Sequence, residues 1–103
     1  MKKIIVKSEV AKGLVKDYVQ AHKAFRNIWR ACDRGNRYTE DVPKWLVVRV
    51  EKNYEAARNA LFCLLENHTG REVSHINEKG VVFFVDEKDP TRFDRQHPAQ
   101  LVW

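Results

Sequence analysis

Five lysine and arginine residues between Glu9 and Asp33 fall on one narrow strip of a segment with helical periodicity. At about 100° per residue they lie within about 80° of one another, and no acidic residue shares their strip. These residues, called the basic strip below, are Lys12, Lys16, Lys23, Arg26 and Arg30. Arg34 and Arg37 would continue the strip if the helix extended so far. A row of cations attracts phosphate groups or another acidic surface, so we predict that the basic strip is a binding surface.

An ordinary solvated helix face is the alternative interpretation. Cations near the carboxyl end of a helix stabilise its dipole, which explains Arg30 and Arg34 without any partner. A solvated face usually mixes charges of both signs, however, and the basic strip does not. The outward face of the second helical segment shows the mixed pattern, with Lys44, Glu51, Glu55, Arg58 and Glu66. This contrast within one chain favours a function for the basic strip.

Aromatic residues can extend a phosphate contact to single-stranded nucleic acid, because unpaired bases stack on exposed rings. Tyr38 follows Arg37 in the loop after the first helical segment, and Trp45 begins the second segment. Both rings are candidates for such stacking. Phe25 and Trp29 lie on the apolar side of the first segment, so we assign them to the core.

The sequence offers little that resembles a catalytic or metal site. It has no phosphate-binding glycine loop and no HExxH or GxSxG motif. Cys32 and Cys63 are far apart, whereas zinc takes three or four clustered ligands. His75 or His97 acting with the acidic residues of the C-terminal tail is a minor enzymatic hypothesis, and a solvated loop explains those acids better than a magnesium site. We predict a protein that is not an enzyme and that carries no metal and no cofactor.

Two long helices position these side chains. In the first, Ser8 is suited to cap the amino end, and apolar residues recur at spacings of three and four. These are Ala11, Leu14, Tyr18, Ala21, Phe25, Ile28 and Cys32. A second segment repeats the pattern and ends at Gly70. We predict helices over residues 9–33 and 42–68, joined as an antiparallel hairpin.

The remaining segments predict a small antiparallel sheet. Its strands are a first strand over residues 3–7, a β-hairpin over residues 72–86 and an edge strand within the C-terminal tail, residues 87–103. The predicted fold class is α+β: a long antiparallel helical hairpin packed on a small antiparallel β-sheet. At 103 residues the chain predicts a single domain.

One strand of this sheet, residues 81–85, is apolar at every position. A strand of this kind is typical of a sheet that is buried on both faces, whereas one helical hairpin can bury only one face. The tail, a second copy of the chain or another partner must cover the other face. A homodimer through the sheet is therefore one prediction.

Charge is distributed unevenly along the chain. The net charge is +5, but residues 1–37 hold ten Lys/Arg against three Asp/Glu, and residues 38–103 hold nine against eleven. No apolar run approaches the roughly 20 residues of a membrane span. Two cysteines without close spacing are typical of small core residues in a reducing compartment, so we predict a cytoplasmic protein that does not bind membranes.

These observations predict a small non-enzymatic nucleic-acid-binding protein that uses the basic strip, with DNA and RNA both open. Arg34, Arg37 and Tyr38 would extend the contact at one end of the strip. The alternative is a protein–protein interaction module, an inhibitor or an adaptor, that docks the same strip on an acidic partner surface.

Overall fold

A computed structural model describes residues 1–32 and 42–103 of the chain. Its elements, in chain order, are β1 (Lys2–Ile5), α1 (Glu9–Cys32), α2 (Lys44–Thr69), β2 (Val73–Ile76), β3 (Val81–Phe84) and β4 (Ala99–Val102). They confirm the predicted α+β class. The chain divides into two compact units: a sheet unit, Met1–Lys12 with Phe62–Trp103, and a hairpin unit formed by the described part of Gly13–Leu61.

The sheet unit holds a four-stranded sheet in the order β1-β4-β3-β2. The β2–β3 and β3–β4 pairs are antiparallel, as predicted. The β1–β4 pair is parallel, with Lys2 opposite Ala99 and Ile5 opposite Val102, so the sheet is mixed and that part of the prediction is wrong. Almost the whole chain separates these two strands. No short turn therefore forces them to run in opposite directions.

Alternate residues of these strands form the core of the sheet unit. Val82 and Phe84 of β3 are almost completely buried, and their neighbours on the same face are buried as well. The buried neighbours are Ile4, Val73, Ile76, Ala99 and Leu101. Leu65, in the last turns of α2, is buried too, and the Glu66 carboxylate accepts the Val73 N–H at 3.1 Å. That hydrogen bond connects the end of α2 to the start of β2.

The tail covers part of the opposite face of the sheet. Phe93 packs edge-on against Phe83 and His75, with ring centroids 5.4 and 4.8 Å apart. A short bridge between Val85 and Phe93 holds this segment beside β3. The tail is thus one of the three covers considered for the apolar strand. Self-association through this face stays a prediction, which sedimentation at high micromolar concentration would test.

The hairpin unit consists of two antiparallel helices packed around Tyr54 of α2. The Tyr54 ring stacks on Phe25 at 4.5 Å and on His22 at 5.5 Å, and it lies 6.0 Å from the Tyr18 ring. Burial raises the pKa of the Tyr18 hydroxyl, and the charge and hydrogen bond of Tyr54 raise it further, so Tyr18 is neutral at physiological pH. Nearer the other end of the hairpin, Ile28 packs against residues 42 and 47.

The helix ends follow local chemistry. The Ser8 hydroxyl accepts the Ala11 N–H at 3.1 Å, which confirms the predicted cap of α1. Helix α2 begins at Lys44 rather than at residue 42, because the Pro43 carbonyl accepts the first hydrogen bonds of the helix. At its other end Gly70 has φ of 71° and donates its N–H to the Glu66 carbonyl, as expected of a helix-ending glycine.

Candidate nucleic-acid interface

Three residues of the basic strip lie exposed on α1 in the hairpin unit: Lys16, Lys23 and Arg30. Each follows the previous one by seven residues, which is close to two helical turns. Their Cα atoms therefore follow one line along the helix at intervals of about 10 Å. None of the three forms an ion pair with a carboxylate among the residues that the structure describes. Their charge is accordingly available to a partner.

The other two residues of the basic strip are half-buried. Lys12 belongs to the sheet unit, and Arg26 lies in the hairpin unit, where it makes contacts of its own. Val15 is buried and Val19 is half-buried on the same side of α1. The basic strip thus lies along the margin between the buried side of α1 and the solvent. The centre of the exposed side is neutral, with residues such as Gln20 and Asn27.

Trp29 lies near the carboxyl end of the same helix and is 50% exposed. The prediction that it belongs to the core is wrong. Phe25 takes the inner position by stacking on Tyr54, and Trp29 meets only the edge of Phe25, with ring centroids 5.9 Å apart. Helical periodicity gives the side on which a residue lies, but not its depth. Because the Phe25 ring already occupies the position next to Tyr54, the Trp29 indole remains half exposed to solvent.

Three predicted binding residues, Arg34, Arg37 and Tyr38, lie outside the described residues. The other candidate ring, Trp45, is 64% exposed in the first turn of α2, in agreement with the prediction.

Helix α2 differs from α1 in how its charges are used. The Arg58 guanidinium lies 5.6 Å from the centre of the Tyr54 ring, and Glu66 is held by its hydrogen bond to β2. Neither residue is a simple outward charge, as the sequence had suggested. The exposed cations of α2, which are Lys44, Arg49 and Lys52, are spread over a wide arc and lie near Glu51 and Glu55 in the sequence. The comparison still shows a single-sign line on α1 and a mixed surface on α2.

His22, His75 and His97 have different surroundings in the part of the chain that the structure describes. His22 stacks within the hairpin unit, and His75 is hydrogen-bonded to the Ser74 hydroxyl at 3.1 Å and stacked on Phe83. The His97 Nδ1 lies 3.1 Å from the Asp94 carboxylate. The sequence analysis considered His97 together with the acidic residues of the tail but did not single out Asp94. Nor do three potential ligands among His, Cys, Asp and Glu come together around a metal position within residues 1–32 and 42–103.

The tail acids have a structural use that the sequence analysis missed. Asp86, Asp89 and Asp94 each accept a backbone N–H two residues further along, at distances of 2.8 to 3.2 Å. Aspartate commonly stabilises turns in this way. The spacing of these acids along a segment rich in turn residues was the signal that could have revealed it. Cys63 is exposed and not a core residue, contrary to the prediction.

Comparison with protein-family models, with curated proteins and with solved structures found no match. Neither α1 nor α2, over its described residues, is long and apolar enough to cross a membrane.

Proposed function

We propose that this protein binds nucleic acid without catalysing a reaction, through phosphate contacts made by Lys16, Lys23 and Arg30. The observation that carries the proposal is the line of three exposed cations at regular intervals, unpaired with any described carboxylate. Contacts of this kind position a protein on the nucleic-acid backbone and carry no sequence information. We therefore expect binding with little sequence preference.

The length of the line matches a short stretch of nucleic acid. Fourteen residues separate Lys16 from Arg30, which corresponds to about 21 Å along the helix. At 3.4 Å per phosphate along one strand of a duplex, the line spans roughly six nucleotides. Arg26 lies between the last two exposed cations and could add a fourth contact after a small side-chain movement.

The exposed Trp29 favours a strand with unpaired bases. Trp29 follows Arg26 by three residues and so lies one helical turn further along α1. A base stacked on the exposed indole would therefore have Arg26 within reach as a phosphate partner. Base stacking on an aromatic side chain contributes about 1–3 kcal/mol for each base. We infer that single-stranded DNA or RNA binds more tightly than the duplex of the same length.

Charge reversal separates this proposal from a general effect of positive charge. The triple variant Lys16→Glu, Lys23→Glu and Arg30→Glu should lose binding to a labelled single-stranded oligonucleotide in a fluorescence-anisotropy titration at low salt. The matched control reverses three exposed cations of α2 in the same unit, by Lys44→Glu, Arg49→Glu and Lys52→Glu. Both variants carry the same net charge, so a specific contact on α1 predicts clearly weaker binding for the first variant alone.

Circular dichroism melting accompanies the titration. All the substituted side chains are exposed, so both variants should keep the wild-type spectrum, with small changes in melting temperature. Equal loss of binding in the two folded variants would show that net charge, and not the line on α1, attracts the oligonucleotide. Unchanged binding in the α1 variant would refute the proposal.

Docking on an acidic protein is the second candidate, and the apolar surface of the hairpin unit favours it. Trp45 and Val48 are exposed on α2, and together with Trp29 they give the unit three large apolar side chains in contact with solvent. Buried aromatic anchors commonly dominate the energy of protein–protein interfaces. An interface of that kind should tolerate salt, whereas phosphate contacts weaken steeply as salt is added.

A further inference from the structure

A second basic surface lies in the sheet unit, separate from the line of cations on α1. It is an open cavity of about 800 Å³ between β1, the carboxyl end of α2 and the segment that leads into β4. Six of its lining residues are lysine, arginine or histidine, and none is acidic. The basic residues are Lys2, Lys3, His68, Arg71, Arg95 and His97.

The neighbouring depression in the tail shows that this charge pattern is not general. That depression, of about 1040 Å³, shares Arg71 and Arg95 with the cavity, but Asp86, Glu87 and Asp94 also line it. Opposite charges there can satisfy one another. No carboxylate belongs to the lining of the cavity, although Asp94 of the depression pairs with Arg71 and His97 at the boundary.

Arg71 is held in place at the boundary between the two spaces. Its Nη2 donates to the Asp94 carboxylate at 3.0 Å, its Nη1 donates to the His97 carbonyl at 3.4 Å, and its guanidinium lies 4.4 Å from the centre of the Phe84 ring. A guanidinium fixed in this way loses little side-chain freedom when a ligand binds. Asp94 offsets part of the charge of Arg71. The role of Arg71 is therefore to orient a bound ligand more than to attract it.

Attraction comes from Lys2 and Arg95. Their side chains are exposed, and neither lies within ion-pair distance of a carboxylate in the part of the chain that the structure describes. The carboxyl end of α2 adds a partial negative charge near the cavity, and His68 lies in its last turn. Ile4, Phe84 and other apolar side chains complete the lining and can accept the uncharged part of a ligand.

We propose that this cavity binds a phosphate-bearing ligand of nucleotide size, with the phosphate groups on Lys2 and Arg95 and with Arg71 as a fixed donor. Its volume lies within the roughly 300–1,000 Å³ typical of small-molecule sites. Bidentate hydrogen bonds from arginine and the mobile charge of lysine are the usual means of holding phosphate oxygens. The same chemistry has two sources, a free nucleotide and the phosphorylated end of a nucleic-acid strand.

Isothermal titration calorimetry with pyrophosphate and with ATP tests the site in the full chain. We expect one saturable site for each probe, and about tenfold or greater weakening in the double variant Lys2→Gln and Arg95→Gln. The matched control is Lys79→Gln with Arg92→Gln. It removes two exposed cations of the same unit that do not line the cavity, and it should leave both affinities unchanged. Melting curves of both variants establish that they fold.

Two results would overturn the proposal: no saturable heat with either probe up to about 10 mM, or equal weakening in the cavity variant and the control. The triple charge-reversal variant of α1 should bind pyrophosphate as the wild type does, so failure of this site and failure of the strip are distinguishable.

In that α1 variant, tighter binding of a 5′-phosphorylated oligonucleotide than of its 5′-hydroxyl form would identify a strand end as a ligand. Equal binding of the two forms, with ATP still bound, would identify the free nucleotide.

Discussion

Asp94 shows how one carboxylate can organise a segment without regular structure. Its Oδ1 accepts the N–H groups of Gln96 and His97, and its Oδ2 lies 3.0 Å from Arg71 Nη2 and 3.1 Å from His97 Nδ1. The Gln96 N–H is the largest of the influences that hold the pKa of Asp94 at about 2, and the hydrogen bonds from Arg71 and His97 act in the same direction. The composition of the tail predicted only a solvated loop. It could not reveal the hydrogen bonds of Asp94, because composition does not show which backbone groups a side chain reaches.

The variant Asp94→Asn should therefore be less stable than the wild type at neutral pH. A lowered pKa means that the ionised carboxylate stabilises the folded state above its ordinary value of 3.8, and that this contribution disappears as the pH falls through about 2. The difference in melting temperature between wild type and variant should narrow over that range in circular dichroism melts. Asp17→Asn, on the exposed surface of α1, is the control and should show a small difference at every pH. A gap for Asp94→Asn that stays constant with pH would contradict the assignment.

At the scale of elements, local sequence signals predicted most of what is seen. The spacing of apolar residues together with Ser8 and Gly70 predicted both helices to within two residues at their described ends. Hydrophobic patterning also predicted the strands of the β-hairpin. The parallel β1–β4 pair could not be predicted, because the direction of a strand depends on distant partners and not on its own residues.

Gly80 and Gly13 allow a matched test of the turn and helix geometry. Gly80 has φ of 78°, and a Cβ placed there would meet Gln100 Nε2 at 3.2 Å. Gly80→Ala should destabilise the protein by about 1–2 kcal/mol in denaturant titrations, because a left-handed backbone disfavours any side chain. Gly13→Ala, with open space around it in the middle of a helical turn, should stabilise by roughly 0.5–1 kcal/mol. Equal effects of the two substitutions would show that the turn does not need its glycine.

At the scale of the whole molecule, the uneven charge along the sequence leads to two separate basic surfaces. One is the line of cations on α1, and the other is the cavity between β1 and the tail. The sequence predicted the first because it lies on one continuous element. It could not predict the second, because that surface combines residues from both ends of the chain, and such a combination depends on the sheet order.

Salt dependence measures how many cations of the molecule contact nucleic acid. If Lys16, Lys23 and Arg30 each neutralise one phosphate, the log–log slope of the association constant against salt should be about −2 for a single strand and about −3 for a duplex. The slope is obtained from anisotropy titrations at several sodium chloride concentrations. The α2 control variant should retain this slope. A salt-independent affinity would instead favour docking on a protein through the apolar surface around Trp45 and Val48.

The parallel pairing of β1 with β4 has a consequence for the newly made chain. Lys2 pairs with Ala99, which is synthesised after β2 and β3, so β1 stays an unpaired strand until β4 has been made. An unpaired strand invites pairing with other chains, and charged residues are the usual protection. Lys2, Lys3 and Lys7 flank the apolar residues of this strand. Lys2, which lines the cavity in the folded chain, can thus act with Lys3 and Lys7 to keep β1 from aggregating before β4 has been made.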